Sequence, residues 1–297
     1  MADRIDLRPL LGWTIPDVEQ RYDHRDTAFY ALSVGVGHDA LSAPSMALVD
    51  PWNASLQALP TLALVLGYPG FWLGRQDVER ATGLTPSRIL HVDQTIALND
   101  ALPPAGHLIG RSRVVGLIDK GEGGDALLYS ERRLVQADTG EAIATLRQTH
   151  LLRGAGGFGG GIASWPPDFI AAPRRPSPSG PPDKRYACTT RPEQALLYRL
   201  NGDANPLHFD LATARAAGLE RPILHGMATL GVACHAITAA VLNGRPARLR
   251  GLSARMSAIV HPGETLRTDI WPDRGFRTVV VERNAVVLDA GCFQCVA

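Results

Sequence analysis

Residues 226–242 read Gly-Met-Ala-Thr-Leu-Gly-Val-Ala-Cys-His-Ala-Ile-Thr-Ala-Ala-Val-Leu, apolar on every side of a 3.6-residue period. A helix without a polar face is one whose whole circumference is buried. Asn243 and Gly244, with Pro246 close behind, supply its stop signal. Beyond it, β-type runs are expected at residues 248–260, 265–271, 276–282 and 285–296, punctuated by turns at 272–275 and 283–284. A buried helix followed by such a meander predicts an antiparallel sheet curled around that helix. The N-terminal half offers strands at 107–118, 125–136 and 142–151, with a hairpin turn through Asp138, Thr139 and Gly140. It has no equally long apolar helix, because the run at 61–66 is short and ends in Gly67, Pro69 and Gly70.

Between the halves, the glycine-rich stretch 154–161 passes into Pro166, Pro167, Pro173, Pro176, Pro178, Pro181 and Pro182, the composition of an extended linker. The chain therefore divides into an N-terminal domain at 1–160, a linker at 161–183 and a C-terminal domain at 184–297. Similar lead-ins to strands at 102–108 and 260–266 suggest a faint internal repeat.

With 297 residues and 45% hydrophobic content, the chain is long enough for two cores. Thirty basic and 29 acidic residues give a net charge of +1 and are scattered, which argues against a nucleic-acid partner. Neither a signal-peptide core nor a bilayer-length apolar run occurs, so a soluble, cytoplasmic protein is expected, with no membrane partner. The ending Gln294-Cys295-Val296-Ala297 is not a Ser-Lys-Leu type address. Residues 154–159 fit G-x-G-x-x-G, yet prolines follow where a phosphate-binding helix would be needed, so a dinucleotide site is rejected. Cys292 and Cys295 fit C-x-x-C but fall in an apparent strand, where residues three apart face opposite sides, and no second pair exists. Cys188 and Cys234 read as reduced, buried thiols.

The chemistry concentrates between Tyr198 and Met227. Asn201-Gly202 is a turn dipeptide and Asn205 precedes Pro206, so Asp203 and His208 project from an irregular loop. A carboxylate and an imidazole five residues apart on such a loop can converge on one water, the first orienting it and the second exchanging its proton. Gly226 opens the apolar helix, where unpaired N–H groups and the positive end of the dipole favour an oxyanion. His225 and His235 read as structural.

Those residues resemble the signature of the enoyl-CoA hydratase 2 family, the (R)-specific hydratases related to MaoC-like dehydratases. Gly-Asp-x-Asn-Pro-Leu-His is followed at the family spacing by Pro-Ile-Leu-His-Gly-Met. Segments 25–37, 59–61, 119–121, 156–160 and 260–266 resemble the long, two-domain members, so the likeness covers nearly the whole chain. It implies an α+β double hot-dog: two curled antiparallel sheets, with the long central helix intact only in the catalytic C-terminal repeat. The degenerate N-terminal repeat would then house a bulky acyl chain. The implied reaction is hydration of trans-2-enoyl-CoA to (3R)-3-hydroxyacyl-CoA, with Asp203 and His208 activating water, Asn205 orienting the pair and the Gly226 N–H binding the thioester oxygen. Implied substrate contacts are His91, Val92, Lys120, Ala204, Pro206, Leu207 and Met256. Three positions depart from the family pattern: Val92 replaces a glycine, Asp93 a glutamate and Met256 a phenylalanine. Neither a metal nor a redox cofactor is expected, since the thioester already acidifies the α-carbon and CoA is part of the substrate. A homodimer is the family expectation. The rival readings are a hot-dog acyl-CoA thioesterase and a non-catalytic acyl-CoA binding subunit.

Overall fold

A computed structural model describes residues 5–37, 43–173 and 175–296. The N-terminal half contains β1 (Val18–Tyr22), α1 (His24–Ser33), α2 (Ala43–Val49), α3 (Gln76–Thr82), β2 (Ile89–Leu98), β3 (Gly106–Lys120), β4 (Ala126–Gln136), β5 (Ala142–Leu152) and β6 (Ile162–Trp165). The C-terminal half contains β7 (Lys184–Thr189), α4 (Gln194–Arg199), α5 (Leu211–Ala216), α6 (Gly226–Ala240), β8 (Leu249–Met256), β9 (Thr265–Ile270), β10 (Gly275–Val280) and β11 (Ala285–Cys295). Every strand expected from the pattern is present. The pattern does not announce β1, β2, β6 and β7: three are short, and β2 is interrupted by the polar His91, Asp93, Gln94 and Thr95.

The two curled sheets expected from the resemblance are hydrogen-bonded into one. Its order is β1-β3-β4-β5-β2-β8-β11-β10-β9-β7, with β6 added on β3. The seam is the antiparallel pair β2·β8, in which Asp93 faces Arg255 and Ala97 faces Gly251. Each half would otherwise expose a strand edge there, with unpaired N–H and C=O groups; joining the edges satisfies both.

The apolar run becomes α6, which is buried from Ala228 to Thr238. It packs against β7, β8, β9 and the 3-10 turn Pro60–Leu64. That turn stands where the N-terminal half lacks a helix, and all five of its residues are buried. One apolar core runs from Tyr22 and Tyr30 through Leu62 and Leu146 to Leu230, Phe276 and Phe293, so the two halves share an interior. A second cluster, including Leu7, Trp72, Leu117 and Phe158, lies within the N-terminal half. Gly67 and Gly110 let two backbone segments touch, since a Cβ on Gly110 would lie 2.1 Å from the Gly67 carbonyl oxygen.

The glycine-rich stretch has a structural role. Asp119, fully buried, accepts N–H groups from Gly121 (2.9 Å), Gly157 (2.7 Å) and Gly159 (2.8 Å). Burial pushes its carboxyl up, and these three bonds outweigh that push and hold it below the usual range. The segment folds back onto β3 instead of forming a phosphate cradle. The expected linker accordingly begins with strand β6 on β3, and residues 166–183 carry no helix or strand among those described. All four cysteines are free. Among the described residues no helix is long and apolar enough to cross a membrane.

Candidate active site

The loop after α4 is held from outside its own half. Asn201 donates its side-chain N–H groups to Ser33 Oγ and to the Tyr198 carbonyl, both at 2.9 Å, and Gln194 donates to the Ser33 carbonyl at 3.0 Å. The C-terminal end of α1 thus anchors the segment that carries Asp203 and His208. Within the loop, Asn205 couples the two expected reactive groups. Its backbone N–H donates to Asp203 Oδ1 (3.2 Å), and its own Oδ1 accepts the Leu207 N–H (3.1 Å), capping the 3-10 turn Pro206–His208.

His208 is oriented by one hydrogen bond. Its Nδ1 lies 2.9 Å from the Ile223 carbonyl oxygen, which can only accept, so Nδ1 carries the proton and Nε2 keeps its lone pair. Burial lowers the pKa of this imidazole, while the Asp203 charge and the Ile223 hydrogen bond work the other way. Ligand atoms of Asp203, His208 and His225 lie within 4.8 Å of one another. The His208 and His225 rings are stacked, centroids 3.7 Å apart and 27° between planes. Stacked rings hold their in-plane lone pairs in adjacent planes, unlike the converging donors of a tetrahedral metal site.

Gly226 is the first residue of α6, so its N–H has no partner within the helix. A Cβ there would press on Met256 Cγ at 3.3 Å, which places Met256 as the wall beside this donor. These groups open into a cavity of about 360 Å³. One wall carries Asp203, Asn205, Leu207, His208, Gly226 and Met256. The opposite wall comes from the N-terminal half and includes Leu64, Tyr68, Phe71, Trp72, His91 and Val92.

Of the expected substrate contacts, His91, Val92, Leu207 and Met256 line this cavity, whereas Lys120, Ala204 and Pro206 do not. Strand alternation explains Lys120: its neighbour Asp119 points inward, so the lysine points to solvent. Ala204 and Pro206 are exposed positions on a loop whose alternate residues face inward. His91 donates from Nε2 to the Asp93 carbonyl at 3.0 Å, and burial depresses its pKa to about 4.

Three residues around the cavity escape sequence reasoning. His225, read as structural, is stacked on His208; only the folded chain brings the two rings together. His150 is the cross-strand partner of His91, with ring centroids 5.0 Å apart, and burial lowers its pKa to about 3. Tyr68 packs its ring 5.1 Å from the buried Arg132 guanidinium, which donates to the Ala63 and Leu64 carbonyls. His235, by contrast, packs edge-on against Tyr186 and does not line the cavity.

The fold, α+β with one large antiparallel sheet, is the MaoC-like hot-dog fold. A family model described as the MaoC like domain matches residues 174–290, and one described as the MFE-2 hydratase 2 N-terminal domain matches residues 20–154. The chain is 38% identical to the peroxisomal enoyl-CoA hydratase 2 of Arabidopsis thaliana, over 94% of this chain and 92% of that protein. It is 39% identical to 3-hydroxyacyl-thioester dehydratase Y of Mycobacterium tuberculosis, over 92% of each. A crystal structure of a MaoC-like dehydratase from Phytophthora capsici superposes with a TM-score of 0.82 at 28% identity, covering 98% of this chain and 99% of that one. The protein belongs to the enoyl-CoA hydratase 2 family of two-domain MaoC-like dehydratases.

Proposed function

We propose that this protein is a hydro-lyase that reversibly adds water to trans-2-enoyl-CoA, giving (3R)-3-hydroxyacyl-CoA. One observation carries the reading. A carboxylate, an imidazole with a free Nε2 and an unpaired helix-start N–H meet at one wall of a cavity whose other lining residues come largely from the N-terminal half and include Leu64, Phe71 and Trp72.

In this reading the Asp203 carboxylate and His208 Nε2 hold one water. Its oxygen attacks the β-carbon, and the proton it loses passes through the pair to the α-carbon on the same face. Charge that builds on the thioester oxygen is met by the Gly226 N–H, reinforced by the helix dipole. Asn205 is the tie that keeps Asp203 and the His208 turn in register. His91, Val92 and Met256 flank the thioester, and Val92 replaces open backbone with a small apolar wall. The two blocks of the sheet serve as curled hot-dog repeats, the C-terminal one wrapped on its central helix α6. In the N-terminal repeat the short turn at 60–64 takes the place of a helix, and the room it leaves houses the acyl chain beside Leu64, Phe71 and Trp72.

The test offers trans-2-enoyl-CoA esters of several chain lengths while following the conjugated enoyl absorbance and free thiol together. Loss of absorbance without thiol, yielding the (3R) product, is expected. Release of thiol would replace this reading with a thioesterase, and no reaction with any ester would leave a binding subunit.

A further inference from the structure

The polar wall of the cavity holds a second histidine that the water-activating pair does not use. His225 is 1% exposed, and neither of its ring nitrogens makes a hydrogen bond of normal geometry, the Asp203 backbone being the one hydrogen-bonding group among the described residues that acts on it. Buried imidazoles ordinarily satisfy at least one nitrogen, and leaving both unpaired is costly. What the ring does have is two aromatic neighbours: His208 stacked on it at 3.7 Å, and Tyr198 tilted against it at 4.8 Å and 48°. The flat shape of this side chain, then, is what its surroundings employ.

We propose that His225 is the positioning residue of His208, its neutral ring fixing the plane of the His208 imidazole and shutting water out from that side. The inference rests on the hydratase reading of the site. A single hydrogen bond from Nδ1 to Ile223 restrains one atom and leaves the ring free to tilt about that contact. A ring stacked at van der Waals distance removes the tilt, so Nε2 keeps one heading toward the cavity. Closing that face also keeps bulk water from exchanging the proton that His208 handles with Asp203, the bound water and the substrate.

The scheme requires His225 to stay uncharged beside a group that cycles through a cation. The groups around it are His208 from the 206–208 turn, Asp203 from the preceding loop, and Tyr198 and Arg199 from α4. Burial, the neighbouring His208 and the Arg199 charge all oppose protonation and hold its pKa near 2, against the Asp203 backbone, which favours it. Position explains why this residue can act so. His225 is the N-cap of α6, and the helix that presents the Gly226 N–H therefore also sets the angle of the stacking ring.

Two readouts decide it, one of which needs no turnover. In His225→Ala, water fills the vacated face, so the NMR titration of the His208 ring should move up toward its ordinary value near 6.5. The acidic limb of kcat/KM should rise with it, and kcat should fall by roughly 10- to 100-fold with KM changed by less than about threefold. His225→Phe, flat and never charged, should recover about tenfold or more of the lost kcat and keep His208 titrating as in the parent. An unchanged His208 titration in His225→Ala overturns the proposal. So does His225→Phe being as impaired as His225→Ala, because the ring nitrogens would then be what matters. Should His225→Ala fail to fold, His225→Leu fills the volume without a flat face, and the same comparison with His225→Phe is made. If the parent protein hydrates no enoyl-CoA ester, the hydratase reading fails alone, and the titration still judges the stack.

Discussion

At the scale of single residues, the loop between α4 and α5 works as a set of short-range ties. Asp203→Asn keeps the size of the side chain and removes the charge that, in the proposed reaction, holds water against His208. It should lower hydration by roughly 10²- to 10⁴-fold while the fold and CoA-ester binding persist, as circular dichroism and calorimetric titration with a CoA ester would check. Near-normal turnover in that variant would exclude the assigned chemistry. The pH dependence has a definite sign. His208 acts as a base only when neutral, and its pKa is lowered by burial, so kcat/KM should hold through pH 7 and decline only below about 6.5, the unperturbed value. A decline that begins above pH 7 would contradict it. That Asp203, Asn205, His208 and Gly226 lie together at one cavity was foreseeable from spacing, because they sit within one short loop and one helix start. His225 lay in the same stretch, but what it does depends on a ring-to-ring contact that no spacing rule encodes.

At the scale of elements, two buried charges replace regular secondary structure as the means of holding chain. Asp119 gathers three backbone N–H groups from the glycine-rich segment, and Arg132 gathers the Ala63 and Leu64 carbonyls of the turn that stands in for a helix. Asp119→Ala should cost about 3 kcal/mol, since charged hydrogen bonds are lost and their donors stay buried; urea unfolding measures it, and a cost below about 0.5 kcal/mol would mean the segment is held by other contacts. Arg132→Leu should destabilise by a similar amount, about 3 kcal/mol. It should also raise KM for long acyl esters more than for short ones, because Leu64 and Tyr68 line the far wall. The sequence marks neither role. A lone aspartate before Lys120-Gly121 and an arginine inside an alternating strand look like surface residues until the partner carbonyls and N–H groups arrive from other elements.

Seen whole, the molecule is joined rather than paired. The β2·β8 seam and the common apolar core bind the halves into one cooperative body. Calorimetry should accordingly give one unfolding transition, and residues 1–160 or 184–297 expressed alone should not reach a native fold; two separable transitions would contradict this. Stability should also depend on four histidines, three of them buried and His91 half-buried. Burial holds His91 and His235 near pKa 4, His150 near 3 and His225 near 2, all below the unfolded value. The unfolded chain therefore binds the extra protons as pH falls below about 6.5, and stability is lost at up to about 1.4 kcal/mol per pH unit for each histidine. Thermal melts between pH 7 and pH 5 should show a steep fall, and a flat profile would mean these rings are solvated.

The seven strands of the two meanders, the all-round apolar helix, the loop carrying Asp203 and His208 and the family resemblance were legible in the sequence itself, because hydrophobic period, turn residues and short-range spacing are local properties of the chain. The single sheet, the far wall of the cavity, the buried anchors at Asp119 and Arg132 and the His208–His225 stack were decided by tertiary structure alone. Each of these rests on a strand edge, a ring face or a carbonyl being met by a partner supplied by another element, and that meeting is settled only when the two halves close on one core.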